Sequence, residues 1–176
     1  MSRRLSSSKP AEITQAEADI REQLEGQRFD FSAMAAVSNI YRAATTVRSH
    51  MESTVLAEHD LSWAAFTVLW VLWIWGEQET RHIAQETGST KGTLTGVLKT
   101  LEQRNLVKRT THPKDRRLVL VKLTAQGTKV IKTTFPEFNA HERLATSTLT
   151  KAEQEQLATL LRKVTQRVSD LDAHGD

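Results

Sequence analysis

The stretch from Thr80 to Thr124, TRHIAQETGSTKGTLTGVLKTLEQRNLVKRTTHPKDRRLVLVKLT, constrains the fold more than any other, because start, stop and charge signals follow one another along it. Ile83 and Ala84 give a short helix an inner face, Gly88 stops it, and Ser89 or Thr90 caps a second helix. Leu94, Val97, Leu98 and Leu101, at spacings of three and four, turn one side of that second helix inward. Two strand-like runs follow, Leu106 to Thr110 and Leu118 to Leu123, joined by His112-Pro113-Lys114-Asp115-Arg116, a turn with charge at its tip. A helix pair followed by a basic hairpin is DNA-reading architecture. The expected fold class is mainly α with a small β-wing: a winged helix-turn-helix plus a helical dimerisation region.

Charge is distributed to match. Thr80 to Thr124 holds ten Lys or Arg against three acids, +7, and the remainder of the chain holds 14 against 18, −4, for a net +3. A basic lobe on an acidic body suits a nucleic-acid binder, although a solvated charged face produces the same count.

The 176 residues, 39% hydrophobic and 26% charged, suffice for one domain or two small ones with a real core. There is no cysteine, which removes disulfides and thiolate metal sites and fits a cytoplasmic location. Residues 1–10 lack the apolar centre of a signal peptide and read as a disordered basic tail. The longest apolar run, Trp63 to Trp75, is 13 residues, short of the roughly 20 a membrane span needs, so it reads as a buried central helix capped by Ser62.

The remaining elements are helical. Glu12 to Leu24 reads as a short amphipathic helix ending at Gly26, within an accessory segment over 11–28. Phe29 to Leu56 reads as one long helix with Phe31, Met34, Val37, Tyr41, Ala44, Val47, Met51 and Val55 along a single stripe. A helix opens after Thr124, and Pro136 predicts a kink or break in it near Thr134 to Phe135. Thr150-Lys151-Ala152-Glu153 is a capping box that starts the last helix, with Leu157, Leu160, Leu161, Val164, Val168 and Leu171 on one face. Residues 61–123 are thus the DNA-binding domain, and 29–60 with 124–172 the helical dimerisation region. An intramolecular bundle satisfies the same periodicity as a dimer.

Placing the leucines of the second helix inward turns Gly92, Gly96, Lys99 and Gln103 outward, with Thr95 and Thr100 beside them. Ser89, Thr90, Lys91, Gly92, Thr93, Thr95, Gly96 and Lys99 are the candidate recognition residues. Two exposed glycines one turn apart permit a close approach to the major groove, with Thr93 and Thr95 against thymine methyls; neutral surface drift is the competing reading. In the wing, His112, Lys114, Asp115, Arg116 and Arg117 are the candidates: Asp115 holds one arginine while the other enters the minor groove, and His112 contacts phosphate.

This order of elements resembles the MarR family of bacterial transcription regulators over about Phe29 to Leu171. Asp115-Arg116-Arg117, Leu118 to Lys122 and then Leu123-Thr124 fit the family's DxRxxxxxLT wing, and Ile83, Ala84, Gly88, Leu94 and Val97 fit the helix-turn-helix motif. Asn105 to Arg109 looks like the exit from the recognition helix. The resemblance implies a homodimer with interleaved terminal helices, a palindromic double-stranded DNA operator, and often a small ligand or other signal that weakens DNA binding; a repressor is the expected role. It also favours Arg117 as the partner of Asp115. Tyr41, Met51, Trp63, Phe66 and Trp70, with Trp73, lie about where the family's effector pocket is, an apolar site suited to a small aromatic molecule. An aromatic stripe also fits plain core.

The six histidines include no i, i+4 pair and no HExxH, so no metal or other cofactor is expected. No phosphate loop, nucleophile elbow or paired carboxylates suggest an enzyme. A sequence-indifferent architectural DNA-binding protein is the alternative reading.

Overall fold

Thirteen consecutive residues whose sole polar member is Thr67 have no face to offer water, and they form the central helix. In the computed structural model, which describes residues 10–115 and 117–174, the order is α1 (Pro10–Gln23), α2 (Phe31–Met51), a π-helical turn (Glu52–Leu56), α3 (Trp63–Trp75), β1 (Gln78–Glu79), α4 (Thr80–Thr87), α5 (Lys91–Gln103), β2 (Val107–Thr111), β3 (Val119–Leu123), α6 (Ala125–Ala145) and α7 (Lys151–His174). The chain divides into two compact units, Met1–Thr134 and Phe135–Asp176.

In the first unit, Ser62 caps α3 by accepting the Ala65 amide at 3.2 Å, and the Glu52 carboxylate accepts the Trp63 amide at 3.1 Å. Ala65, Phe66, Val68, Leu69, Val71 and Leu72 of α3 are buried, and Ile83, Leu94, Leu98, Leu101, Leu106 and Val121 complete the core around them. Each leucine closed off in this way contributes about 1.5–3 kcal/mol of transfer free energy.

β3 is the central strand of a small antiparallel sheet ordered β1-β3-β2. Val107 pairs with Leu123 and Arg109 with Val121, while Gln78 lies opposite Val121 on the other side. Pleat alternation puts Val107 and Val121 in the core and Lys108 and Lys122 in solvent. The hairpin strands were expected over Leu106 to Thr110 and Leu118 to Leu123; Leu106 instead ends the turn out of α5, its amide bonded to Leu101 O at 2.9 Å.

α1 begins at Pro10, two residues before the expected start and inside the stretch read as a tail; the missing amide of proline costs nothing at a first helical position. Residues 1–9 of that tail lie outside the described ones. Ala16 of α1 is buried, Asn39 of α2 donates to Glu17 at 2.7 Å, and the Arg21 guanidinium stands 5.6 Å over the Phe31 ring. Asp30 caps α2 through the Ala33 amide at 2.9 Å.

The single helix expected from Phe29 to Leu56 is α2 plus a π turn. Ser53 and Thr54 both donate their hydroxyls to His50 O, at 3.1 and 2.7 Å, which satisfies a carbonyl displaced by the wider turn. The apolar stripe changes environment along its length: Met51, Val55 and Leu56 are buried, whereas Met34, Val37, Tyr41 and Val47 are exposed.

α6 opens after Thr124, as expected, and Thr124 caps it by accepting the Gly127 amide at 3.0 Å. A Cβ at Gly127 would stand 1.9 Å from the Leu106 carbonyl oxygen, so glycine is required by contact and not by conformation. Thr134 is fully buried and donates to Val130 O at 3.0 Å. Of the kink or break expected near Thr134 to Phe135 there is no break: α6 is continuous through Pro136. One proline removes a single backbone bond, and the turns on either side keep theirs.

In the second unit, the expected capping box opens α7: Glu153 N–H donates to Thr150 Oγ1 at 3.3 Å and Thr150 N–H to the Glu153 carboxylate at 2.7 Å. Those bonds from Thr150 hold the Glu153 carboxyl below its ordinary range. Leu157, Leu160, Leu161, Val164 and Val168 lie exposed along α7.

Candidate nucleic-acid interface

The turn between α4 and α5 is three residues long. Gly88 takes the left-handed conformation (φ 60°) that closes α4, with Ser89 N–H bonded back to Ala84 O at 2.9 Å. Of the two capping candidates Thr90 fills the role, accepting the Thr93 amide at 3.2 Å, while Ser89 accepts a bond from the Thr87 hydroxyl at 2.9 Å. Leu94, Leu98 and Leu101 are buried and Val97 is half-buried, which fixes the rotation of α5. Lys91, Gly92, Thr93, Thr95, Gly96 and Lys99 are all exposed on the opposite side, as the spacing requires. Added Cβ atoms would meet nothing within 4 Å at Gly96 and only Thr90 Oγ1, at 4.0 Å, at Gly92. The Thr95 hydroxyl donates to Lys91 O at 2.7 Å, so its methyl is the group left to the outside.

The wing turn is held by two side chains. Nδ1 of His112 accepts the amides of Lys114 and Asp115, each at 3.2 Å. Asp115 grips Arg117 at both ends of the carboxylate, Nε to Oδ1 at 3.1 Å and Nη2 to Oδ2 at 3.0 Å, and also accepts the Arg117 amide at 3.0 Å. These bonds from Arg117 hold the Asp115 carboxyl below its ordinary range and push the guanidinium up. The Arg117 side chain is still 89% exposed, so pairing orients it without covering it. Arg116, the other candidate for the minor groove, lies outside the described residues.

The basic residues of this region separate into two sets. Arg81 pairs with Glu79 at 2.8 Å, Arg109 with Glu102 through Nε at 2.9 Å and also through Nη2, and Lys122 with Glu77 at 3.8 Å. Arg109 holds the Glu102 carboxyl below its ordinary range. Arg104 donates to the main-chain carbonyls of His59, at 3.1 Å, and Asp60. Lys91, Lys99, Lys108 and Lys114 have no ion pair among the described residues. Arginine, with its planar fork, orients elements here, while these four lysines leave their charge to solvent. Arg81, Lys91, Thr95, Arg109 and Arg117 border an open groove of about 570 Å³ between α4, α5 and the wing.

The five residues expected around an effector lie at different depths in the single chain. Met51 (0% exposed) and Phe66 (4%) are closed into the core, Tyr41 is 72% exposed on α2, and Trp63 and Trp70 are half-buried. For Met51 and Phe66 the plain-core reading is the one that fits. Trp70 and Trp73 meet edge to face, 5.6 Å between centroids. Among the described residues no group of three or more His, Cys, Asp or Glu is placed to hold a metal ion, and no helix is long and apolar enough to cross a membrane.

Two features carry no signal in the sequence. β1 is two residues long, too short for any period, and exists because β3 offers it an edge. The bond of Arg104 to a turn 44 residues earlier is a product of tertiary packing.

Comparison with known proteins agrees with this geometry. Residues 61–119 match the MarR family, a span that holds α3 to the start of β3. The helix-turn-helix-type transcriptional regulator YwaE of Bacillus subtilis is 39% identical over 142 residues, 81% of this chain and 83% of the relative. Two solved structures are each 26% identical. Bordetella bronchiseptica BpsR, described for regulation of its DNA binding by 6-hydroxynicotinic acid, has TM-score 0.68 over 74% of this chain and 98% of that one. A mutant Escherichia coli MarR complexed with operator DNA has TM-score 0.67 over 71% and 89%. The core lobe, the oriented wing and these likenesses identify one kind of protein: the chain belongs to the MarR family of winged helix-turn-helix, DNA-binding transcriptional regulators.

Proposed function

We propose that the chain acts as a homodimeric repressor on a palindromic operator, with two copies of α5 about one DNA turn, roughly 34 Å, apart. The observation that carries this reading is the face of α5: its leucines are closed into the core while two lysines, two glycines and two threonines stand exposed. The open space at Gly92 and Gly96 supports close approach of the backbone to base edges. Arg117, oriented by Asp115 yet exposed, is suited to minor-groove insertion at reduced entropic cost, adding affinity and AT preference rather than a base code. The exposed stripes of α2 and α7 support a second copy as their cover.

A small aromatic effector that relieves DNA binding completes the reading. BpsR is described as regulated by such a molecule, and Tyr41, Trp63 and Trp70 keep ring surface accessible here. The test selects binding sites from genomic fragments, then measures the selected site against random DNA at physiological salt. A specific regulator prefers its site by about 10³-fold or more, whereas equal affinities belong to a sequence-indifferent architectural protein and overturn the reading.

A further inference from the structure

Arg104 ends the recognition helix, and its guanidinium meets two main-chain carbonyls where the other arginines of the described lobe meet carboxylates. Those carbonyls belong to His59 and Asp60, the turn that closes the π-helical end of α2: His59 N–H bonds to Leu56 O at 3.2 Å, Asp60 N–H to Ala57 O at 3.2 Å and Leu61 N–H to Leu56 O at 2.9 Å. Asp60 has φ 52°, a left-handed conformation that a non-glycine residue rarely keeps unless its surroundings hold it. Carbonyls at a helix C-terminus carry the negative end of the helix dipole, and a planar fork can hold two of them at once. Charge and shape both select arginine for this place.

The same connection is held from its other side. Asn105 takes the left-handed position after α5, at φ 54°. Thr124 donates its hydroxyl to Asn105 O at 2.6 Å and its amide to Leu106 O at 3.1 Å, and Gly127 packs against that carbonyl. The exit of α5 therefore sits between the end of α2 and the start of α6. We infer that Arg104 is a positioning residue for DNA reading: by clamping the His59 and Asp60 carbonyls it ties the C-terminal end of α5 to the end of α2, and it is not a phosphate contact. The inference rests on the reading above, in which α5 enters the DNA.

Two substitutions test it. Arg104→Lys keeps the charge and loses the two-point grip; Arg104→Gln loses both. A phosphate contact is served by either cation, and its loss lowers the salt slope of binding by about one. The clamp predicts that both variants lose affinity for the selected site by about tenfold, within the usual range of coupling between sites. Their salt slopes should match wild type, and their affinity for random DNA should stay within about twofold of it. Helical content and melting are followed in parallel, with binding measured where all three proteins are folded; if Arg104→Gln does not fold, Arg104→Lys decides alone. Wild-type affinity in Arg104→Lys, a slope lowered in Arg104→Gln, or equal losses on both DNAs would overturn the inference while leaving the functional reading intact. A wild-type protein that does not discriminate its site from random DNA overturns both.

Discussion

α5 and α7 carry the same pattern, leucines and valines at intervals of three and four, and meet opposite fates. In α5 the leucines are 0–3% exposed, closed in by α3, α4 and the sheet. In α7 the corresponding side chains are 38–50% exposed. Periodicity states that a face needs cover; it does not state what supplies it. The DNA-reading lobe finds its cover within the chain, and α7 offers more apolar surface than a solvated helix ordinarily leaves in water.

The largest effect should come from Leu160→Arg in α7. If a second copy covers this stripe, the substitution abolishes the dimer in sedimentation and lowers site affinity by about 100-fold or more, since two linked half-sites gain 10²–10⁴ in avidity. An unchanged sedimentation coefficient would make the stripe an ordinary surface. In α5, Leu101→Ala should cost about 2–5 kcal/mol in denaturant unfolding, because a fully enclosed leucine leaves a cavity; a cost below 1 kcal/mol would show that the lobe is less closed than its packing indicates.

Arg117→Ala should weaken site binding with a salt slope shallower by about one, with melting little changed, because an exposed ion pair contributes at most about 1 kcal/mol. An identical slope would remove Arg117 from the DNA contact. Replacing Gly92 and Gly96 together by alanine should raise stability by roughly 1–2 kcal/mol, as both are exposed helix positions with room for a methyl, while site affinity falls. Affinity that survives the pair would make these glycines neutral.

The smallest effect concerns protons. The folded-state pKa of Asp115 is depressed by Arg117 and that of Glu102 by Arg109, so the stabilisation from these pairs is present above the ordinary carboxylate range and lost as pH falls through the lowered values. Carboxyl titration followed by NMR should show both midpoints below the ordinary range, with Asp115 returning to it in Arg117→Ala. A midpoint unmoved by that substitution would mean the pair does not form in solution.

Most of the lobe was legible because its signals are local. Gly88, Thr90 and the capping bond of Thr124 to Gly127 each act within four residues, as does the box at Thr150 in the second unit, and the inward set of α5 follows from spacing alone. The π turn was not legible, since Met51 and Val55 continue a three-and-four pattern that an extra residue in the turn does not interrupt. The basic lobe was counted correctly as charge, yet the count could not separate lysines facing solvent from arginines tied to Glu79, Glu102, Asp115 and the carbonyls of His59 and Asp60. Depth within the aromatic set was not legible either: shared helical spacing joined Phe66 to Trp63 and Trp70, whereas Phe66 is buried and the two tryptophans are half-buried.

Gly127 also bears on how the sequence can vary. With a Leu106 carbonyl 1.9 Å from where any Cβ would stand, even the smallest side chain must push main chain against main chain. In a library carrying every substitution at every position, this site should read as an empty column bordered by permissive ones. A residue that touches neither DNA nor a second subunit would then rank among the least replaceable in the chain, and a screen for function alone would mistake it for part of the reading surface.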